Sequence, residues 1–377
     1  MRNFIPVNTP KIDGNEKKYL NECIDSGWIS SEGPFVELFE TQFAARVGRR
    51  HGIAVSNGTG AIDVAVEALG IGVNDEVIMP TLTIISCVLQ IVRSGAKPVL
   101  VDCDPFTFNM DPEEVERKIT SKTKAIMIVH LYGLPVKVSE LLDIAKRYNL
   151  LVIEDAAEMH GQTYNNFPCG SFGDISTFSF YPNKHITTGE GGMVLTNNDE
   201  IASRCRSLRN LCFQPENRFV HEELGWNLRM SNLQAAVGVA QLERLDEFVQ
   251  LKRNNAYLYN WNLKSADNLQ LPVKSTLYSE NIYWVYSVIL KADCEGNAVD
   301  MMRLLGEEGI GTRPFFCPLH LQPALHKLGL FGGEKFPIAE RLYKKGFYLP
   351  SGLGLTKDDI ERVSSTLLRL SKAKQYL

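Results

Sequence analysis

A chain of 377 residues is long enough for two packed domains or one large one with a substantial core. Its 44% hydrophobic and 22% charged residues are ordinary for a soluble globular enzyme. A formal net charge of -4 creates no field that favours nucleic acid or a membrane surface, which argues against a DNA-binding protein.

The opening Met1-Arg2-Asn3-Phe4-Ile5-Pro6 has no apolar stretch long enough for a signal peptide, and nothing approaches 18 consecutive apolar residues. The eight cysteines (Cys23, Cys87, Cys103, Cys169, Cys205, Cys212, Cys294 and Cys317) form no CxxC pair. Most sit in apolar runs, so buried free thiols in a reducing, cytoplasmic compartment are expected.

Apolar, β-branched runs follow in order at Ile53–Val55, Val77–Pro80, Pro98–Val101, Ala125–Val129, Leu150–Ile153, Thr177–Phe180 and Met193–Leu195. Helical patterns separate several of them, at Ala61–Leu69, Glu113–Ile119 and Ser139–Tyr148. Asp111 before Pro112 is a good helix opening, an N-cap acceptor followed by a first-turn proline that wastes no N–H. This alternation predicts a largely parallel sheet covered on both faces, with ligands at the carboxyl ends of its strands. At Ser231 the pattern changes. Ser231-Asn232-Leu233-Gln234 reads as a capping box, and one long helix is expected to about Leu263, bridging two domains. A strand near Tyr283–Leu290, a helix near Ala298–Glu308, a strand near Gly311–Phe316 and a helix over Asp358–Ser371 then make a small α/β domain. The expected division is 1–230, a linking helix 231–264, and 265–377.

Several chemistries leave no trace. There is no Walker A loop, no GxGxxG after the first strand, no HExxH and no GxSxG, and the histidines lack metal-ligand spacing, so no metal is expected. Three segments remain, each after a predicted strand. Ser56-Asn57-Gly58-Thr59-Gly60-Ala61 turns directly into a helix, where small residues and free amides suit an anion such as phosphate. Asp155, in Ile153-Glu154-Asp155-Ala156-Ala157-Glu158, is poised for a cationic ligand atom such as a pyridinium nitrogen. A magnesium ligand, a ribose contact or a helix cap are its competing readings. Lys184, in Phe178-Ser179-Phe180-Tyr181-Pro182-Asn183-Lys184-His185, has aromatic and small neighbours, and a partly desolvated lysine is a nucleophile toward an aldehyde. Ser179 offers a hydroxyl to a phosphate, and Gly189-Glu190-Gly191-Gly192 permits close backbone approach. Pyridoxal phosphate presents the three matching groups at once.

On these segments the sequence resembles the DegT/DnrJ/EryC1/StrS family of sugar aminotransferases. Glu154-Asp155-Ala156-Ala157-Glu158, Phe178–Lys184 and Gly189-Glu190-Gly191-Gly192 are its most specific matches. Asp13-Gly14-Asn15-Glu16, Trp28-Ile29-Ser30-Ser31, His130-Leu131-Tyr132-Gly133, Ile186-Thr187-Thr188 and Gly225–Met230 point to members acting on GDP-4-keto-6-deoxymannose. The resemblance implies an aspartate-aminotransferase-like α/β fold (fold type I) with a large, mostly parallel seven-stranded domain and a small C-terminal one, acting as a homodimer. Lys184 would carry pyridoxal 5'-phosphate, Asp155 would face the pyridinium nitrogen, and Glu158 would approach the ring hydroxyl. Gly58, Thr59, Gly60 and Ser179 would hold the phosphate, with Asn227 reaching it from the partner subunit. Trp28, Arg229, Arg313 and His320 match positions at the substrate. L-glutamate would give the amino group in a ping-pong reaction, GDP-perosamine for surface-polysaccharide synthesis being the implied product.

Two positions depart from the family. Ile84 stands where an aromatic usually stacks on the cofactor ring, and Leu134 where a polar residue is frequent. Alternatives therefore stay open: another UDP- or dTDP-linked keto sugar, a small phosphorylated ketone, or a dehydratase on the same cofactor. Lys184 argues against the dehydratase, whose relatives carry histidine in its place. A non-catalytic protein on this fold is disfavoured by the retained lysine, aspartate and serine. A nucleotide-dependent oxidoreductase lacks its glycine fingerprint.

Overall fold

Strands buried on both faces read as unbroken apolar runs, and all seven such runs of the first part lie in one sheet. The computed structural model describes residues 4–214, 216–291 and 296–372. In it the strands are β1 (His51–Val55), β2 (Glu76–Pro80), β3 (Lys97–Val101), β4 (Thr123–Val129), β5 (Leu151–Asp155), β6 (Ile175–Ser179) and β7 (Gly192–Thr196). Their order is β1-β7-β6-β5-β4-β2-β3. Strand β7 runs antiparallel to β1 and β6, and the other neighbours are parallel. Alternate side chains feed opposite layers: Val77, Met79, Ala125, Met127 and Ile153 pack in one core, Ile78, Ile126, Ile128 and Val152 in the other.

The helix over Pro112–Arg117 begins as its sequence suggests, with the Asp111 carboxylate accepting the Glu113 N–H at 3.0 Å. Helices Glu16–Ser26, Pro34–Val47, Ser86–Arg93 and Asp199–Arg209 are additional to those expected. The capping box at Ser231 forms in full, but the helix it opens is not continuous. Asn232–Leu242 and Leu245–Asn262 are separate helices. At the break, Glu243 accepts from Asn15 Nδ2 (2.7 Å) and from the Tyr19 hydroxyl (2.6 Å), while Arg244 pairs with Asp13 and Glu247. The N-terminal segment thus bonds the polar side chains at the break. The second helix still straddles two cores. Leu245, Phe248 and Val249 pack under the large sheet; Ala256 and Tyr259 pack in a separate core with Val288, Phe347 and Leu367.

That separate core lies against a four-stranded antiparallel sheet in the order Leu269–Gln270, Tyr286–Leu290, Gly346–Leu349, Arg313–Pro314. The strand expected from Tyr283 starts only at Tyr286. Tyr283 takes a left-handed φ of 51°, its N–H held by Asn281 Oδ1 at 2.7 Å. The kink turns Trp284 toward the large domain. The seven described cysteines are free thiols, six of them buried; Cys294 lies outside the described residues. Among the described residues no helix is long and apolar enough to cross a membrane.

Candidate active site

The carboxyl ends of β1, β5 and β6 converge on a cavity of about 680 Å³. Gly58, Thr59, Ile84, Asp155, Ser179 and Lys184 all line it. Segments 56–61, 153–158 and 178–185, separate in sequence, therefore meet in space.

Beyond β1, Asn57 caps the helix Gly58–Ala68 by accepting the Gly60 N–H at 2.8 Å. That bond uses the Gly60 amide, so Gly60 shapes the turn while Gly58 and Thr59 face the cavity. A Cβ on Gly58 would lie 2.6 Å from Ser179 Cβ, and one on Gly192 would lie 2.4 Å from the Asn57 carbonyl oxygen. Only glycine lets these three turns close into one cradle. The Thr59 and Ser86 hydroxyls meet at 2.9 Å on its rim.

At the end of β5, Asp155 is buried. Its Oδ1 accepts the Ala157 N–H at 3.0 Å, and its Oδ2 accepts from the Cys87 thiol at 3.2 Å. Lys184 stands in a tight loop after β6, its N–H bonded to the Tyr181 carbonyl at 2.9 Å. Trp284 fixes this loop from the small domain. Its indole N–H donates to the Asn183 carbonyl at 2.8 Å, and its ring lies 4.1 Å from Lys184 Nζ. Burial lowers the pKa of Lys184, against the pull of Glu158 and Asp155. Burial pushes Glu158 up to about 8, against the pull of Lys184. Glu158 sits behind the lining, its Oε2 accepting the Tyr132 N–H at 2.6 Å. A buried amine whose pKa is lowered, opening on the same cavity as Asp155, suits proton transfer at a bound substrate carbon.

The positions expected at the cofactor ring's face and at the substrate are not all brought together. Ile84 is 44% exposed and lines the cavity. Arg313 is exposed and pairs in register with Tyr348, which lines the cavity. His320 is different: it is buried, with Nδ1 at 2.8 Å from the Thr81 hydroxyl and Nε2 at 3.2 Å from Glu340. Both nitrogens have partners in this chain, linking residues 81 and 340, and His320 is not among the residues that line this chain's own cavity. Asn227, Arg229 and Trp28 lie outside this chain's own cavity. Arg229 donates to Asn227 Oδ1 at 2.8 Å and to Asn210 Oδ1 at 2.8 Å, and lines a separate hollow with Arg206 and Arg209. Trp28 is half exposed, its carbonyl accepting from Asn232 Nδ2 at 2.7 Å.

Sequence reasoning missed Trp284, Phe316 and Tyr348, the aromatic wall contributed by the small domain. Trp284 and Phe316 rings stack at 6.4 Å with 19° between planes. Their only sequence signal is aromatic richness, which a buried strand shares. One buried trio, His130, Glu154 and Cys169, has the proximity of a metal site. His130 Nδ1 accepts the Val136 N–H at 3.1 Å, so its Nε2 carries the proton donated to Glu154 at 2.9 Å. No imidazole lone pair remains, and the trio is structural.

The DegT/DnrJ/EryC1/StrS aminotransferase family profile matches residues 10–368, and the chain belongs to that family. It is a pyridoxal-phosphate-dependent aminotransferase of α/β fold. It is 44% identical to a GDP-perosamine synthase of Caulobacter vibrioides over 96% of this chain and 97% of that one. It is 42% identical to another from Vibrio cholerae, over 97% and 98% respectively. The crystal structure of an aminotransferase, TlmJ, from Streptoalloteichus hindustanus superposes with a TM-score of 0.89 at 29% identity, covering 97% of this chain and 98% of that one.

The cavity fits the cofactor on its own terms. Thr177 Oγ1 and Asn183 Oδ1, both of cavity-lining residues, are buried without a hydrogen-bond partner. A glycine-walled cradle stands at the helix start, and a buried carboxylate and a lysine share the same space.

Proposed function

We propose that this enzyme transfers an amino group from L-glutamate to the 4-keto carbon of GDP-4-keto-6-deoxymannose, forming GDP-perosamine. The observation that carries the chemistry is the meeting of Lys184, Asp155 and the Gly58–Thr59 turn in one cavity. The sugar rests on two relatives named GDP-perosamine synthase, which match nearly the whole chain.

When bound, the cofactor supplies an electron sink for the carbon that exchanges its amino group. Lys184 would hold the cofactor, and its amine, whose pKa burial lowers, would move the proton to and from that carbon. Asp155 would face the pyridinium nitrogen and favour its charged form, and Glu158, whose pKa burial raises, would approach the ring hydroxyl. Thr59 and Ser179 hold the phosphate. Trp284, Phe316 and Tyr348 exclude water from the reacting carbon.

The same reading makes the working unit a cytoplasmic homodimer. Asn227 and Arg229 are placed outside their own chain's cavity, and in the dimer they serve the neighbour's. Arg313 and Trp28 approach the sugar nucleotide. The domain division 1–230, 231–264 and 265–377 belongs to this proposal, with residues 243–244 interrupting the linking segment.

Incubation with L-glutamate and a panel of GDP-, UDP- and dTDP-linked 4-keto-6-deoxy sugars, with products identified by mass, tests the assignment. GDP-4-keto-6-deoxymannose should turn over fastest. Faster amination of a UDP or dTDP sugar, or of a small phosphorylated ketone included beside the panel, overturns the assigned substrate and leaves the aminotransferase.

A further inference from the structure

Asp155 is held by a side chain that lies outside the cavity and has no part in the chemistry above. We propose that the Cys87 thiol, oriented by Thr83, is a positioning group that fixes the Asp155 carboxylate toward the cofactor's ring nitrogen. The inference rests on the reading of Asp155 as the pyridinium partner.

The three residues form a buried line. Thr83 Oγ1 lies 3.3 Å from Cys87 Sγ, which lies 3.2 Å from Asp155 Oδ2. All three are buried, and Cys87 is fully so. Proton counting sets the direction. An ionised carboxylate only accepts, so the single thiol proton points to Asp155. The Thr83 hydroxyl then donates to sulfur. Burial holds the thiol well above its ordinary range, reinforced by the negative Asp155 beside it, so Cys87 stays a donor at neutral pH. With the Ala157 N–H on Oδ1, each carboxylate oxygen has one protein donor. The carboxyl plane cannot rotate without losing one of them. Cys87 is the second residue of the helix Ser86–Arg93, just after the cavity-lining Ile84 and Ser86. The same short segment therefore shapes the ring's surroundings and aims its counter-charge.

Serine keeps a donor at this position and alanine removes it. Cofactor affinity is read by fluorescence titration of apoprotein with pyridoxal phosphate, alongside kcat and the melting temperature of the apo form. Cys87→Ala should weaken cofactor binding and lower kcat by about five- to tenfold each, the scale of one weakened hydrogen bond to a charged group. Cys87→Ser should stay within about twofold of wild type, since a hydroxyl is the stronger donor. Wild-type affinity and kcat in Cys87→Ala overturn the proposal. So does Cys87→Ser behaving like Cys87→Ala, which would make the sulfur a space-filler. If Cys87→Ala does not fold, Thr83→Val carries the test: affinity and kcat should both fall, and wild-type values for both overturn the relay. Asp155→Asn runs in parallel. Its impairment with a normal Cys87→Ala removes the relay alone, whereas a normal Asp155→Asn removes the reading of Asp155 on which the relay rests.

Discussion

Replacing Lys252 by Met removes a buried amine while keeping the reach of the side chain. Lys252 lies in the helix Leu245–Asn262 and donates to the Trp284 carbonyl at 3.0 Å and to the Ser351 carbonyl. It is 2% exposed, and both of these partners are neutral. Burial, with the Lys184 charge nearby, lowers its pKa from 10.5 to about 7. A base with a depressed folded pKa destabilises the fold most below that folded value, and the penalty is relieved as pH rises toward the unfolded value. At pH 7 the unfolded chain binds a whole proton here and the folded chain about half, so stability rises with pH. Integrated from pH 7 to pH 9, this one site adds about 2 kcal/mol to the stability of the wild type. Buried thiols and phenols such as Cys87 and Tyr259, whose pKa burial raises, oppose the trend in both proteins. The difference between wild type and Lys252→Met isolates the lysine. Urea unfolding of the two apoproteins at pH 7, 8 and 9, at one protein concentration, measures it. The stability gap in favour of wild type should widen by about 2 kcal/mol across that range. A gap constant with pH would show that Lys252 carries its full charge when folded, and the burial argument would fail.

Lys184→Ala should still bind the cofactor, while borohydride no longer fixes it covalently and transamination is lost; a covalent label found on another lysine contradicts the assignment. Mixing Lys184→Ala subunits with Asn227→Ala subunits should restore one working site of two, because each hybrid dimer contains one site with both residues intact; no recovery in demonstrated hybrid dimers removes Asn227 from the neighbour's site. Ile84→Tyr should tighten cofactor binding by up to about tenfold through ring stacking, with an unchanged melting temperature, since Ile84 is exposed to the cavity. A lower melting temperature with unchanged affinity means instead that the larger ring is forced into the core.

The large sheet was legible because its strands are buried on both faces, which leaves an apolar run that chance seldom produces. The helices Glu16–Ser26 and Pro34–Val47 were missed, although Gly33-Pro34 marks the start of the second. The helix break at 243–244 was not legible in the helical pattern. The residues there continue it, and their side-chain partners at the break, Asp13, Asn15 and Tyr19, lie more than two hundred positions away.

The same distinction separates the readable part of the site from the rest. Asp155, Lys184 and the Gly58 turn each end or follow a strand, so sheet topology alone carries them to one edge. Trp284 meets Lys184 beside a left-handed Tyr283, with its own carbonyl held by Lys252. Neither feature is visible in a local pattern. His320 shows the converse. Its resemblance to a substrate position says nothing of Thr81 and Glu340, which engage both its nitrogens in the folded chain. A polar residue's role depends on which of its donors and acceptors folding leaves free, and that is set by distant partners. Local chemistry therefore picked out three segments that meet in one cavity, while the aromatic wall beside them required the tertiary structure.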